Sequence, residues 1–133
     1  MKNVYPVLIQ EDIKENCFIV DIPDFDISTW GKTFFDAIEN ARDAIGLAGI
    51  TMEDDGEELP MPSAVSQIEK ESDSDIVTFV DVDFEQYRKE NDSRAVRKNC
   101  TIPYWLEVQA DKAGLNYSAI LQSGLKMALG INA

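Results

Sequence analysis

At 133 residues the chain suffices for one ordinary domain, or for two small ones if the second borrows core from a partner. A composition of 44% hydrophobic and 28% charged residues is that of a globular protein, and no apolar run approaches the roughly 18 residues of a membrane span. Histidine is absent, which excludes His-based nucleophile activation, and two cysteines supply only half of a tetrahedral zinc shell, so neither a metal nor another cofactor is expected.

The start of the chain, Met1 to Pro6, has no signal-peptide h-region, and a cytoplasmic setting without membrane contact is expected. Cys17 and Cys100 each sit in an apolar, strand-like run and read as reduced core thiols. The net charge of −13 is unevenly placed. Through Glu85 there are 21 acidic and 5 basic residues, and from Gln86 onward 4 acidic and 7 basic. An acidic body with a mildly basic tail suggests two surfaces for two partners. The tail suits a polyanion and the body a basic protein.

Residues 4–10, 17–22 and 25–30 are β-branched and aromatic runs separated by polar turns, the pattern of an antiparallel meander. A helix then opens with Thr33 as N-cap and Asp36 three residues on. Phe34, Ala37, Ile38, Ala41, Ala44, Ile45 and Ala48 recur at helical spacing, and Gly49 is a plausible terminator. After an acidic stretch (53–58) and a loop with two prolines (59–63), residues 76–82 form a fourth strand. The intervening helix suggests a parallel partner reached by a crossover. The first domain is thus a β-β-β-α-β unit over 1–84, followed by a polar linker over 85–95 that can hold a helical turn.

The remainder, 96–133, has a different pattern. Residues 96–102 make one short strand, and Pro103 suits the first turn of a helix. Leu106, Ala110 and Ala113 mark that helix's buried face, and Gly114 ends it. Asn116 caps a second helix carrying Ile120, Leu121, Gly124, Leu125 and Ala128. So short a segment cannot close a core alone, and a lone strand leaves both edges unpaired. Two copies that pair strands and interlock helices cure both defects, so a homodimer is expected, with higher assembly left open.

Asn99-Cys100-Thr101-Ile102-Pro103-Tyr104-Trp105-Leu106, then Ala113-Gly114-Leu115-Asn116-Tyr117-Ser118, resembles the ribbon-helix-helix family of DNA-binding proteins. The resemblance implies a two-stranded ribbon in the major groove, with alternate side chains reading base edges. Cys100 and Ile102 are the apolar pair, so Arg97, Asn99 and Thr101 face outward: arginine suits guanine, asparagine adenine, threonine either. The resemblance also implies a phosphate clamp at the start of the second helix, which falls on Asn116, Tyr117 and Ser118. A dimerisation ribbon that binds no DNA is the structural alternative.

The first domain resembles the HicB family of antitoxins. The matching pieces are Tyr5-Pro6-Val7-Leu8, Phe18 to Phe25, Gly31-Lys32-Thr33 with Asp36 to Ala41, Leu59 to Ser63, and Val80-Asp81-Val82-Asp83. The family's Pro-Gly-Cys turn is missing, since Phe25-Asp26-Ile27-Ser28 stands there, so the third strand should begin or bend differently. The resemblance implies an α+β protein: a partial RNase H-like domain that binds a small basic HicA-like ribonuclease toxin, which cleaves mRNA. It also implies repression of the shared operon through operator DNA, with no catalysis by the chain itself. A free-standing transcriptional regulator with a sensing or oligomerising first domain is the alternative.

Sharper chemistry finds less support. The acidic run at 53–58 lacks the ligand alternation and spacing of an EF-hand. Asp21, Asp24, Asp26, Asp81 and Asp83 fall at strand ends, where a nuclease would hold two metals, but sequence cannot bring them together. Trp30 and Trp105 read as packing residues rather than interface anchors.

Overall fold

The computed structural model describes residues 1–131; Asn132 and Ala133, the last two of the expected C-terminal module, lie outside the described residues. The chain divides into two compact units, Met1–Arg94 and Ala95–Ala133. The first contains β1 (Lys2–Asp12), β2 (Cys17–Ile22), β3 (Ile27–Gly31), α1 (Phe34–Asp54), β4 (Ile76–Asp83) and α2 (Phe84–Asn91). The second contains α3 (Tyr104–Lys112) and α4 (Tyr117–Leu129).

The four strands form one sheet in the order β3-β2-β1-β4, every neighbouring pair antiparallel. Strand alternation sends Tyr5, Val7 and Ile9 of β1, Val20 and Ile22 of β2, and Val80 and Val82 of β4 to one face. There they meet Ala37, Ala41 and Ile45 of α1 in the core. Each fully buried Val or Ile in such a core contributes about 1.5–3 kcal/mol. Thr33 caps α1 as expected, its Oγ1 accepting the Asp36 N–H at 3.0 Å.

The parallel insertion expected for the fourth strand does not occur. Ser63 donates from its backbone N–H to Asp24 at 3.0 Å, at the β2–β3 end of the sheet, whereas Ile76 pairs with Ile9 towards the other end. The connection after α1 therefore travels back along the sheet, and β4 enters antiparallel to β1. The third strand starts at Ile27 rather than at residue 25: Pro23–Phe25 makes a 3-10 turn, and Asp26, at φ 52°, takes the left-handed conformation in which glycine is common. Asp tolerates that region because its short side chain can bond locally.

Packing overturns one further expectation and enlarges another. Gly49 does not end α1, which continues to Asp54, because a buried glycine here is a notch for an aromatic ring. Residues 85–95 are not a plain linker, since Phe84–Asn91 is helical, capped by Asp83 Oδ1 accepting Gln86 N–H at 3.1 Å. Phe84 and Tyr87 of α2 fit against Gly49 and Gly46 of α1. Arg88 then ties the two helices together, with Glu53 at 3.2 Å, Asp54 at 3.1 Å and Asp92 at 3.1 Å.

In the second unit Asn116 caps α4, its Oδ1 accepting Ala119 N–H at 3.0 Å, and Gly114 ends α3 with φ 65°. Among the described residues of this unit none is buried. The buried face expected for Leu106, Ala110 and Ala113 is therefore absent from the single chain: Leu106 is 40% exposed. Nor do residues 96–102 join a sheet, since a strand needs a partner and one copy offers none. Cys17 is half-buried and Cys100 exposed, so neither is the core thiol expected.

Candidate nucleic-acid and partner interfaces

Arg97, Asn99 and Thr101 all lie exposed in the stretch before α3 that carries no regular structure. Each is presented to solvent, but without a ribbon their common outward face has not formed in one chain. Asn116, Tyr117 and Ser118 do come together, as the N-cap and first two residues of α4. The Asn116 side chain satisfies the Ala119 N–H, leaving the Tyr117 and Ser118 amides without intrahelical acceptors, as in any helix start. Those amides and the helix dipole favour an anion.

Two side chains set the limits of that site. The Tyr117 hydroxyl donates to the Asp111 carboxylate and, at 3.4 Å, meets the Glu107 carbonyl. That bond, then desolvation, pushes the phenol up to about 12, so it stays a neutral donor committed to Asp111. Ser118 Oγ accepts from Gln122 Nε2 at 3.3 Å. An incoming phosphate would meet main-chain donors and a free serine proton, and must avoid Asp111.

The second unit also carries Ile102, Leu106, Leu115, Ile120, Leu121 and Leu125 between 40% and 53% exposed. Ile120, Leu121 and Leu125 recur at the spacing that builds one apolar face of α4, and Leu106 lies on α3. So large an apolar surface on a small unit marks an interface. The unit holds 4 basic and 2 acidic residues, against 8 basic and 23 acidic in the first.

In the first unit, four of the five strand-end carboxylates have structural tasks. Asp21 accepts from Ser28 Oγ at 2.6 Å, Asp24 holds Ser63, and Asp83 caps α2. Asp81 takes Arg42 Nη2 at 3.0 Å, a bond that holds its carboxyl below the usual range. Arg42 Nε also donates to the Asp81 carbonyl at 3.0 Å, while Asn40 Nδ2 donates to the Trp30 carbonyl at 2.7 Å. One helix thus satisfies a carbonyl on each edge strand, a defence against stray strand pairing. Among the described residues no three His, Cys, Asp or Glu side chains converge as metal ligands, and no helix is long and apolar enough to cross a membrane.

Sequence reasoning overlooked Trp30 and Trp105 as surface groups: they are 55% and 62% exposed rather than packed. The usable signal was alternation, which places Trp30 on the sheet face opposite Gly31 and the core. It also overlooked Asp75, a buried carboxylate. Burial opposes its ionisation, but Gln10 Nε2 and the N–H groups of Glu71 and Ser72 outweigh that and hold it low.

An acidic α+β unit, four of whose five strand-end carboxylates serve its own fold, followed by a pair of helices with no buried residue, has the make-up of a two-part binding protein. The family model for HicB-like antitoxins of bacterial toxin-antitoxin systems matches residues 5–124, and this chain belongs to that family. Among solved structures it is similar to the Burkholderia pseudomallei antitoxin HicB, with 26% identity and a TM-score of 0.55 over 96% of each chain. It is also similar in fold to a chain of a toxin-antitoxin complex from Streptococcus pneumoniae, at 22% identity and a TM-score of 0.62, covering 96% of this chain and 99% of that one. No curated protein sequence matches significantly.

Proposed function

We propose that this chain neutralises a small, basic, mRNA-cleaving HicA-like ribonuclease by direct binding through its acidic first unit, and represses the shared operon through its second. In this reading the second unit dimerises as a ribbon-helix-helix module in the cytoplasm, and the first is a partial RNase H-like fold without catalysis or cofactor. The carrying observation is the second unit itself: two helices with no buried residue, the second N-capped by Asn116, preceded by an unpaired segment bearing Arg97, Asn99 and Thr101. A second copy supplies what one lacks, a strand partner and a core. The resulting ribbon turns the three polar side chains outward, with the α4 amides of Asn116, Tyr117 and Ser118 behind them for the backbone phosphates. The charge of the first unit supports a basic partner.

The test is co-expression with the small basic protein encoded beside this chain, followed by purification, an mRNA cleavage assay and binding to upstream DNA. A stable complex that suppresses cleavage and shifts that DNA supports both roles. DNA binding without a protein partner would instead favour a free-standing transcriptional regulator.

A further inference from the structure

On the sheet face opposite α1, Trp30 of β3 stands beside Ile19 of β2 in register, with Cys17 two residues earlier on the same strand. Asp12 pairs with Cys17 where β1 turns into β2, and Glu15 lies in that turn. These side chains, with Lys32, line a cavity of about 720 Å³. Its lining joins Cys17, Ile19 and Trp30 to the charged Asp12, Glu15 and Lys32. Trp30 is 55% exposed, although a ring of this size gains by burial. Among the described residues neither Asp12 nor Glu15 forms an ion pair, and Lys32 forms none either, so these three lining groups sum to a charge of −1; Asp12 Oδ1 accepts only the Glu15 N–H, at 3.2 Å. The Cys17 thiol registers this field: burial first, then the charges of Asp12 and Glu15, push it up.

We propose that this cavity receives an arginine side chain of the basic protein partner, its guanidinium lying over the Trp30 indole and pointing its N–H groups at Asp12 and Glu15. A guanidinium is planar and weakly hydrated and carries five donors, so it can stack on a ring and serve two carboxylates at once. Lysine offers a compact, strongly hydrated charge that fits this geometry less well. The assignment rests on the toxin-binding reading above and adds the point of anchorage.

Two measurements separate the inference from that reading. The full chain with labelled tryptophan gives two indole signals, Trp30 and Trp105, told apart by Trp30→Phe. Nα-acetylarginine amide should shift the Trp30 signal saturably and leave Trp105 in place. Nα-acetylcitrulline amide, its neutral isostere, should not, and Asp12→Asn with Glu15→Gln should abolish the effect. No shift, an equal shift from citrulline, or an equal shift from Nα-acetyl-lysine amide overturns the assignment. In parallel, Trp30→Ala, checked for an unchanged melting curve, should bind the co-expressed basic protein about tenfold more weakly than wild type. Equal binding sinks the inference and leaves the antitoxin role standing; a wild-type chain that binds no basic protein sinks both.

Discussion

Gly49 of α1 lies so close to the ring of Phe84 that a methyl group at position 49 would stand 2.2 Å from its Cε1. Phe84 is 1% exposed and has no room to withdraw. Replacing glycine by alanine in a helix normally gains about 1 kcal/mol. Overpacking a buried site costs about 1–3 kcal/mol, and an aromatic ring held on all sides belongs at the upper end. Gly49→Ala should therefore lower stability in urea unfolding, against the usual trend for this substitution.

Acid should loosen the junction between α1 and α2. The Asp92 carboxyl is held well below the usual range, first by Arg94, whose side chain donates to it at 2.8 Å, and also by Arg88. A carboxyl depressed by folding contributes stability above its unfolded value, near pH 4, and loses it as pH falls towards the folded one. Thermal melts from pH 7 down to 2 should therefore show Asp92→Asn less stable than wild type at neutral pH and converging with it in acid. Asp75→Asn should behave the same way, because hydrogen bonds hold that carboxyl low as well. Parallel curves at all pH values would show that neither group titrates with folding.

The meander, α1 with its Thr33 cap, and the two C-terminal helices were legible because each rests on local periodicity and capping chemistry. What sequence missed depends on distant partners. Gly49 is a stop signal locally and a notch once Phe84 arrives from 35 residues away. The polar run after Asp83 becomes α2 because Tyr87 finds Gly46 and Arg88 finds Glu53 and Asp54. The direction of β4 depends on the connection tied at Ser63, which no periodicity encodes. At the candidate site, the capping role of Asn116 was readable, whereas the Tyr117–Asp111 bond follows from how α3 turns at Gly114.

If the second unit dimerises, a charge in its apolar face must be fatal to assembly, because burying an unpaired carboxylate costs several kcal/mol. Ile120 and Leu125 are 51% and 53% exposed in one chain. Sedimentation of the full protein should show dimers that dissociate on dilution, and Ile120→Asp or Leu125→Asp should give monomers at every concentration. Unfolding of the first unit should be unchanged. Dimers persisting in both variants would place the self-association elsewhere.

If the first unit neutralises a toxin as proposed, Met1–Arg94 alone should retain that binding. The cut falls after Arg94 rather than at residue 84, since removing α2 would uncover Gly46 and Gly49 and strip Glu53 and Asp54 of Arg88. With 23 acidic residues against 8 basic, association with a basic protein is steered by charge. Stopped-flow mixing should show the on-rate falling as salt rises, because exposed charges are screened beyond about 8 Å at physiological ionic strength. A folded Met1–Arg94 that fails to bind would place the neutralising surface in the second unit or the dimer.

If the chain binds DNA as proposed, contact must be confined to a small part of an acidic protein. The charge of the first unit would repel a duplex, so the ribbon and the α4 amides would have to carry the affinity. Arg97→Ala, Asn99→Ala and Thr101→Ala should each weaken binding to operator DNA and relax preference at particular bases, a good bidentate base contact being worth about 1–3 kcal/mol. Only Arg97→Ala should also flatten the salt dependence, since that slope follows the number of phosphates neutralised and Arg97 alone of the three is charged. Ser118→Pro would test the clamp separately, because proline deletes one first-turn amide donor at a position where helices tolerate it, and it should weaken operator and scrambled DNA alike. Binding of the basic protein should survive all four changes. Fluorescence anisotropy against operator and scrambled DNA at several salt concentrations distinguishes these outcomes. Wild-type operator affinity in the Arg97, Asn99 and Thr101 triple variant would mean that this face reads no DNA and serves dimerisation alone.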